Sequence, residues 1–330
     1  MVRMREKEFE KVSIIIATHN RKNELIECLN SLKKQTYPNY EILIIDNNST
    51  DGTRELILNE YPETRLFCNK NNLSLCKPRN FGVAKSLGSY LWFLDSDSTI
   101  VNNNCLSVIM KLMKSDETIG SIGGTVYLFD DQSTKIVLPQ DNRFNIFDDW
   151  DREYFQLIEC DYLPGSNFLM EKELLLKIGG FTEIYDIYWE DRELGLKIIK
   201  LGLRNITDRR TIALHPFKFG SSNLKKAYLF YRNAFLYVFF NLDYKKRYEL
   251  LAGKLQQRDP AFKRKIENTG VVRNHGLGNK LILLCGFLLG FASIVCLFLP
   301  IIKIKWGSRD YIRKYVSNEE NIKILASRWK

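Results

Sequence analysis

Three short apolar runs constrain this chain more than any other feature. Val12–Ala17 (Val-Ser-Ile-Ile-Ile-Ala), Glu41–Ile45 and Tyr90–Leu94 are nearly continuous in β-branched and large apolar residues, and each gives way to a polar turn and a helix-like segment such as Glu24–Lys34. A strand that is polar on one face alternates. A continuous run belongs to a strand buried on both faces, as in a parallel sheet covered by its crossover helices. The fold class is therefore α/β, with a mostly parallel sheet flanked by helices. In such sheets ligands bind beyond the carboxyl ends of the strands. The residues there are Thr18-His19-Asn20-Arg21, Asp46-Asn47-Asn48-Ser49 and Asp95-Ser96-Asp97, all polar or acidic. No G-x-G-x-x-G follows the first strand and no G-x-x-x-x-G-K-S/T occurs, which excludes the usual dinucleotide and P-loop sites. Asp46–Gly52 resembles a calcium loop only superficially, since its Gly falls one place late and Ile57 stands where the bidentate Glu belongs.

Charge divides the chain. Residues 221–330 hold 21 Lys/Arg against 7 Asp/Glu, so a chain of net charge +10 carries −4 over its first 220 residues. A nucleic-acid enzyme keeps its basic surface near its site. Here the basic excess adjoins the most apolar stretch instead, which fits a catalytic body with a basic, membrane-seeking C-terminal region and excludes a nucleic-acid partner. The seven cysteines are scattered without a C-x-x-C pair, so zinc and redox motifs are not expected and free thiols are. Met1–Lys11 is polar, with no apolar core of a secretory signal.

Asp95-Ser96-Asp97 carries the most chemistry. Two carboxylates one residue apart, just past a buried strand, can converge on one divalent ion, and hard oxygen ligands suit Mn²⁺ or Mg²⁺ bridging to phosphates. Glu190-Asp191-Arg192-Glu193 reads as the solvated acidic first turn of a helix, where acidic residues favour the dipole. His215, after the strand-like Thr211–Leu214, is a structural histidine or a further metal ligand.

Seven segments together resemble the family 2 glycosyltransferases of GT-A fold. They are Val12–Arg21, Ile44–Thr53, Pro78–Gly82, Phe93–Asp97, Pro164–Met170, Gly179–Glu183 and Trp189–Leu194, in the family's order and spacing over roughly residues 12–220. The resemblance implies metal-assisted transfer of a sugar from a nucleotide-diphosphate donor, with inversion, to an acceptor hydroxyl. It assigns Thr18, Asn20, Arg21, Asp46, Arg79, Asp95 and Ser96 to the donor nucleotide. Asp97, Asp95 and His215 would hold the metal. Asp191 would be the general base, with Glu190 orienting the acceptor or raising its neighbour's pKa. The chain departs from the family pattern at His19, where Tyr or Phe is usual, and at Lys77-Pro78, where small residues are usual.

The expected organisation is a polar tail (1–11), a GT-A catalytic domain (12–220), an aromatic and basic helical region (221–280), an apolar segment (281–302) and a basic tail (303–330). Leu281–Ile302 has no charged residue over 22 positions, long enough to span a bilayer or to re-enter it. Five Lys/Arg on each side give it no direction by the positive-inside rule. Ala227–Phe240 is aromatic with basic flanks, either an interfacial helix or a core helix. Within it, Tyr228–Asn233 resembles a stretch that follows the catalytic domain in rhamnosyl-type relatives. The sequence thus predicts an enzyme at the cell membrane, its catalytic domain on the cytoplasmic face, acting on a lipid-linked or other membrane-held glycan. The alternative is a polyprenyl-phosphate sugar synthase, whose phosphate acceptor needs no base. Homo-oligomerisation is left open.

Overall fold

Val12–Thr18 (β1), Tyr40–Asp46 (β2), Arg65–Cys68 (β3) and Tyr90–Asp95 (β4) lie side by side in the order β3-β2-β1-β4, every pair parallel. The computed structural model describes residues 9–73, 75–129, 134–137, 157–216 and 224–241. Lys22–Lys33 (α1), Thr53–Glu60 (α2) and Cys76–Lys85 (α3) are the crossovers between these strands. The apolar runs are continuous because both faces are covered: Ile14, Ile16 and Trp92 enter one core, and Ile15, Leu43, Ile45 and Phe93 the other. The chain continues through Thr99–Ile100 (β5), Cys105–Met113 (α4), Ile119–Phe129 (β6), Thr134–Val137 (β7), Leu157–Cys160 (β8), Asn167–Glu171 (β9) and Lys172–Lys177 (α5). Glu190–Lys200 (α6), Arg204–Pro216 (β10) and Leu224–Asn241 (α7) complete the described part.

The sheet is mixed. Strand β9 runs antiparallel between β4 and β6, while β6 and β10 are parallel to each other. The far edge matters most for the site. After the Asp95–Asp97 turn, β5 pairs antiparallel with β10 (Ile100 with Ala213, Thr99 with Leu214), which delivers His215 beside that turn.

Two glycines permit close approaches that aim the site. A Cβ on Gly82 would meet Ile15 Cγ2 at 2.6 Å, so α3 lies tight on β1. A Cβ on Gly195 would meet the Asp161 carbonyl and Tyr162 Cα, so α6 lies directly on that backbone. Helix α7 packs through Leu229, Asn233 and Leu236, at the i, i+4, i+7 spacing of one helix face, while Phe230 and Phe239 stay exposed. One face of the aromatic stretch is therefore packed and another exposed. Among the described residues no helix is long and apolar enough to cross a membrane. The segments 281–302 and 303–330, and the rest of 221–280 beyond α7, lie outside the described residues. Cys28, Cys68, Cys76 and Cys105 are free thiols.

Candidate active site

Asp95 ends β4 and Asp97 follows it in the tight turn closed by the Ser98 N–H on the Asp95 carbonyl at 3.0 Å. His215 Nε2 stands 3.4 Å from Asp95 Oδ2 and 3.3 Å from Asp97 Oδ1. Ligand atoms of the three residues all fall within 4.8 Å of one another, the one such metal-competent group among the described residues. The donor set suits a divalent ion: two hard carboxylates and one imidazole. The histidine is also oriented for it. Its Nδ1 lies 3.1 Å from the Pro216 carbonyl, which orients the ring with Nε2 toward the two carboxylates. Burial pushes the Asp95 carboxyl up, but His215, Arg79 and Arg21 outweigh it and hold the group ionised down to about pH 2. Arg21 extends from the first turn to pair with Asp97.

Arg79 does not face solvent. It lies at 1% exposure beneath the turn, where α3 packs on β1. Its Nη2 donates to Asp95 Oδ1 at 2.9 Å and to the Gly165 carbonyl at 2.6 Å, and its Nη1 lies 3.5 Å from Glu190 Oε1. The guanidinium also stacks over Phe181 at 5.4 Å. Arg79 therefore joins the metal-competent turn to the acidic pair, and its Nη1 is buried without a hydrogen-bond partner among the described residues.

Glu190 and Asp191 open α6. The acidic first turn is real, but it is not solvated: Glu190 is 5% exposed. Burial and the adjacent Asp191 charge raise the Glu190 pKa, with Arg79 opposing. Burial also raises Asp191, offset by Arg192 and by the N–H groups of Arg192 and Gly165. Carboxyls held above their ordinary range in a cleft suit proton transfer near neutral pH. The chain enters this helix under strain. Asp186, Tyr188 and Trp189 all have positive φ (62°, 73° and 73°), a region L-residues rarely adopt.

The donor-side residues line the ends of β1 and β2. Asp46 accepts the Ser49 N–H at 3.1 Å. Asn20 Oδ1 accepts the Thr50 N–H at 2.8 Å, tying the two turns together. Thr18 Oγ1 and His19 Nδ1 are buried without a hydrogen-bond partner among the described residues, and so is Glu190 Oε2. Ser96 is buried between the two aspartates. The structure thus ties Asp95, Asp97, His215, Arg21 and Glu190 into one network through Arg79, with Ser96 and Asp191 adjoining them in the chain and Thr18, Asn20 and Asp46 on the neighbouring turns. Nothing in the sequence singles out Gly165, although it sits in the Pro164–Met170 segment. Its peptide touches both Arg79 and Asp191, and no side chain advertises that role.

The chain matches the glycosyl transferase family 2 domain over residues 13–179, half of its length. An uncharacterized glycosyltransferase of Rickettsia bellii is 37% identical over 112 residues, 34% of this chain and 16% of that protein. WfaP of Escherichia coli, a UDP-Glc:alpha-D-GlcNAc-diphosphoundecaprenol beta-1,3-glucosyltransferase, is 44% identical over 92 residues, 27% of this chain and 36% of that one. The matches span well under two thirds of these relatives. Among solved structures, GalNAc-T7 crystallised with UDP, GalNAc and Mn²⁺ superposes with a TM-score of 0.59 at 18% identity, covering 80% of this chain and 57% of that one. Residues 1–349 of Staphylococcus aureus TarS with UDP give 0.57 at 18% identity, covering 82% and 77%. These two likenesses concern the fold.

Proposed function

Because the chain belongs to glycosyl transferase family 2, we propose that it transfers a sugar from a nucleoside-diphosphate donor to a hydroxyl of a lipid-linked glycan, with inversion at the anomeric carbon. One observation carries this reading. The Asp95–Asp97–His215 group and the Glu190–Asp191 pair share a rim and are joined underneath by a single buried guanidinium, Arg79. A sugar transferase needs these two functions side by side: a place for the departing diphosphate and a base for the incoming hydroxyl.

Asp95, Asp97 and His215 would hold Mn²⁺ or Mg²⁺. A divalent ion there neutralises charge on a nucleoside diphosphate. Thr18, Asn20, Asp46 and Ser96 line the donor side, and Thr18 Oγ1 is a buried hydroxyl with bonding capacity left for a ligand. Arg21, on the same rim and 44% exposed, is free to swing toward a phosphate. Asp191 takes the acceptor's proton as the hydroxyl oxygen attacks the face opposite the leaving group. Its raised pKa keeps it basic enough for that proton transfer near neutral pH. Arg79 holds Asp95 and Glu190 in place from beneath. The lipid-linked acceptor rests on the activity of the WfaP relative and on the basic, apolar C-terminal sequence. The same sequence supports a membrane-held protein, and its catalytic domain would lie on the cytoplasmic face because nucleotide sugars are made there.

The test is thermal stabilisation of the full chain by a panel of UDP-, GDP-, dTDP- and CMP-sugars with and without Mn²⁺, followed by the product's anomeric configuration by NMR. Metal-dependent stabilisation by one donor and an inverted product are expected. A retained configuration, or no transfer from any donor to lipid-linked acceptors, overturns the reading.

A further inference from the structure

Five successive carbonyls lead into Glu190–Asp191, and each meets a donor from a distant element. Ile184 O accepts Arg232 Nη2 at 2.5 Å. Asp186 O accepts the Leu75 N–H at 3.0 Å. The carbonyls of Tyr185, Ile187 and Tyr188 all converge on one atom, Asn233 Nδ2, the latter two at 2.7 and 3.0 Å. Asn233 is fully buried, and its Oδ1 in turn accepts Arg232 Nε at 2.9 Å. The amide can stand only one way round, since its oxygen would otherwise face three carbonyl oxygens.

The segment it grips is the strained one. Positive φ at Asp186, Tyr188 and Trp189 is a conformation L-residues avoid, and such backbone persists only where its surroundings over-determine it. Asn233 supplies that constraint from α7, with Trp189 packed on the same helix through Phe230 (5.8 Å) and Tyr237 (5.3 Å). Trp189 is the residue immediately before α6, so the direction in which Glu190 and Asp191 leave the turn is fixed there.

We propose that Asn233, braced by Arg232, is a positioning residue that holds the 184–189 turn and so aims Asp191 at the acceptor. This rests on the glycosyltransferase reading of the site. It makes the Tyr228–Asn233 stretch the carbonyl clamp of the catalytic turn. Asn has the required chemistry because it presents two N–H protons from a short side chain. Asp, of the same shape, would set a carboxylate against three carbonyls.

The test compares wild type, Asn233→Ala and Asn233→Asp as full chains. Steady-state transfer and hydrogen exchange of the backbone spanning 185–193 are both measured. Expected are a fall in kcat of about 10–100-fold with donor KM within about twofold, as misplacement by an ångström produces, and faster exchange confined to that turn. Should Asn233→Ala be recovered unfolded, Asn233→Ser, which keeps one donor in the same space, is judged on the same readouts. Wild-type kcat with unchanged exchange overturns the proposal, as does a loss shared equally by donor KM. If wild type itself transfers nothing from any donor, the functional reading fails, and exchange at 185–193 alone then decides whether Asn233 holds the turn.

Discussion

Arg79 Nη2 lies 2.9 Å from Asp95 Oδ1, and the guanidinium that makes this contact is sealed from solvent. A buried arginine with a carboxylate on each side couples two parts of a site that the chain supplies from β4 and α6. Removing one partner of such a pair leaves the others uncompensated, at about 3 kcal/mol or more. Arg79→Met should therefore lower the urea midpoint by an equivalent amount. The loss should be larger at pH 8 than at pH 5, where Glu190 can escape by binding a proton. A variant as stable as wild type at both pH values would mean that the ion pairs contribute nothing net.

Asp97→Ala should abolish Mn²⁺-dependent stabilisation by the donor while leaving the apo chain folded. At donor concentrations a hundred times Kd the lost increment is about 2.7 kcal/mol, readily seen in a thermal melt. His215→Ala should weaken the same response less, because two carboxylates remain. Full metal dependence in Asp97→Ala would remove this aspartate from the metal site.

Asp191→Asn keeps the shape of the side chain and loses its basicity. Transfer should fall by about 10²–10⁴, the usual contribution of a positioned base, with donor-induced stabilisation unchanged. If transfer to a hydroxyl acceptor proceeds at the wild-type rate, Asp191 is not the base. Full transfer to a polyprenyl phosphate would then favour the alternative chemistry, in which the acceptor is already an anion.

Glu190 sets a pH dependence of stability. Burial first, then the Asp191 charge, raise its pKa from 4.5 to about 8, against the pull of Arg79. Between those two values the folded chain binds a proton that the unfolded chain has released, so stability declines as pH rises through that window. Below it both states are protonated and the cost is absent. Glu190→Gln should leave stability at pH 4.5 nearly unchanged and raise it at pH 8.5 by more than about 1 kcal/mol, one pKa unit's worth. Equal slopes for wild type and variant in denaturation across pH 4.5–8.5 would exclude Glu190 as the source.

Much of this arrangement is legible along the chain. The unbroken apolar runs of β1, β2 and β4 announce strands covered on both faces, because such residues would cost free energy if either face met water. The polar residues right after them mark the rim, since a parallel sheet puts those strand ends on one edge. Asp95-Ser96-Asp97 and Glu190-Asp191 are dense enough in carboxylates to be found there without coordinates. Other parts are silent. Gly165 acts through its peptide, and Asn233 looks like any polar residue in an aromatic helix. That Arg79 lies buried between Asp95 and Glu190 is likewise invisible along the chain.

The three apolar strands β1, β2 and β4 and the charged turns after them are legible along the chain, because they follow from periodicity and burial over a few residues. Tertiary structure alone decided which of them meet. His215 joins Asp95 and Asp97 only because the two residues of β5 pair with Ala213 and Leu214, more than a hundred positions away. The direction of Asp191 depends likewise on an amide 42 residues further along, reached only when α7 docks. Contacts of that range reflect packing and register over the whole sheet, and no local pattern of residue types encodes them.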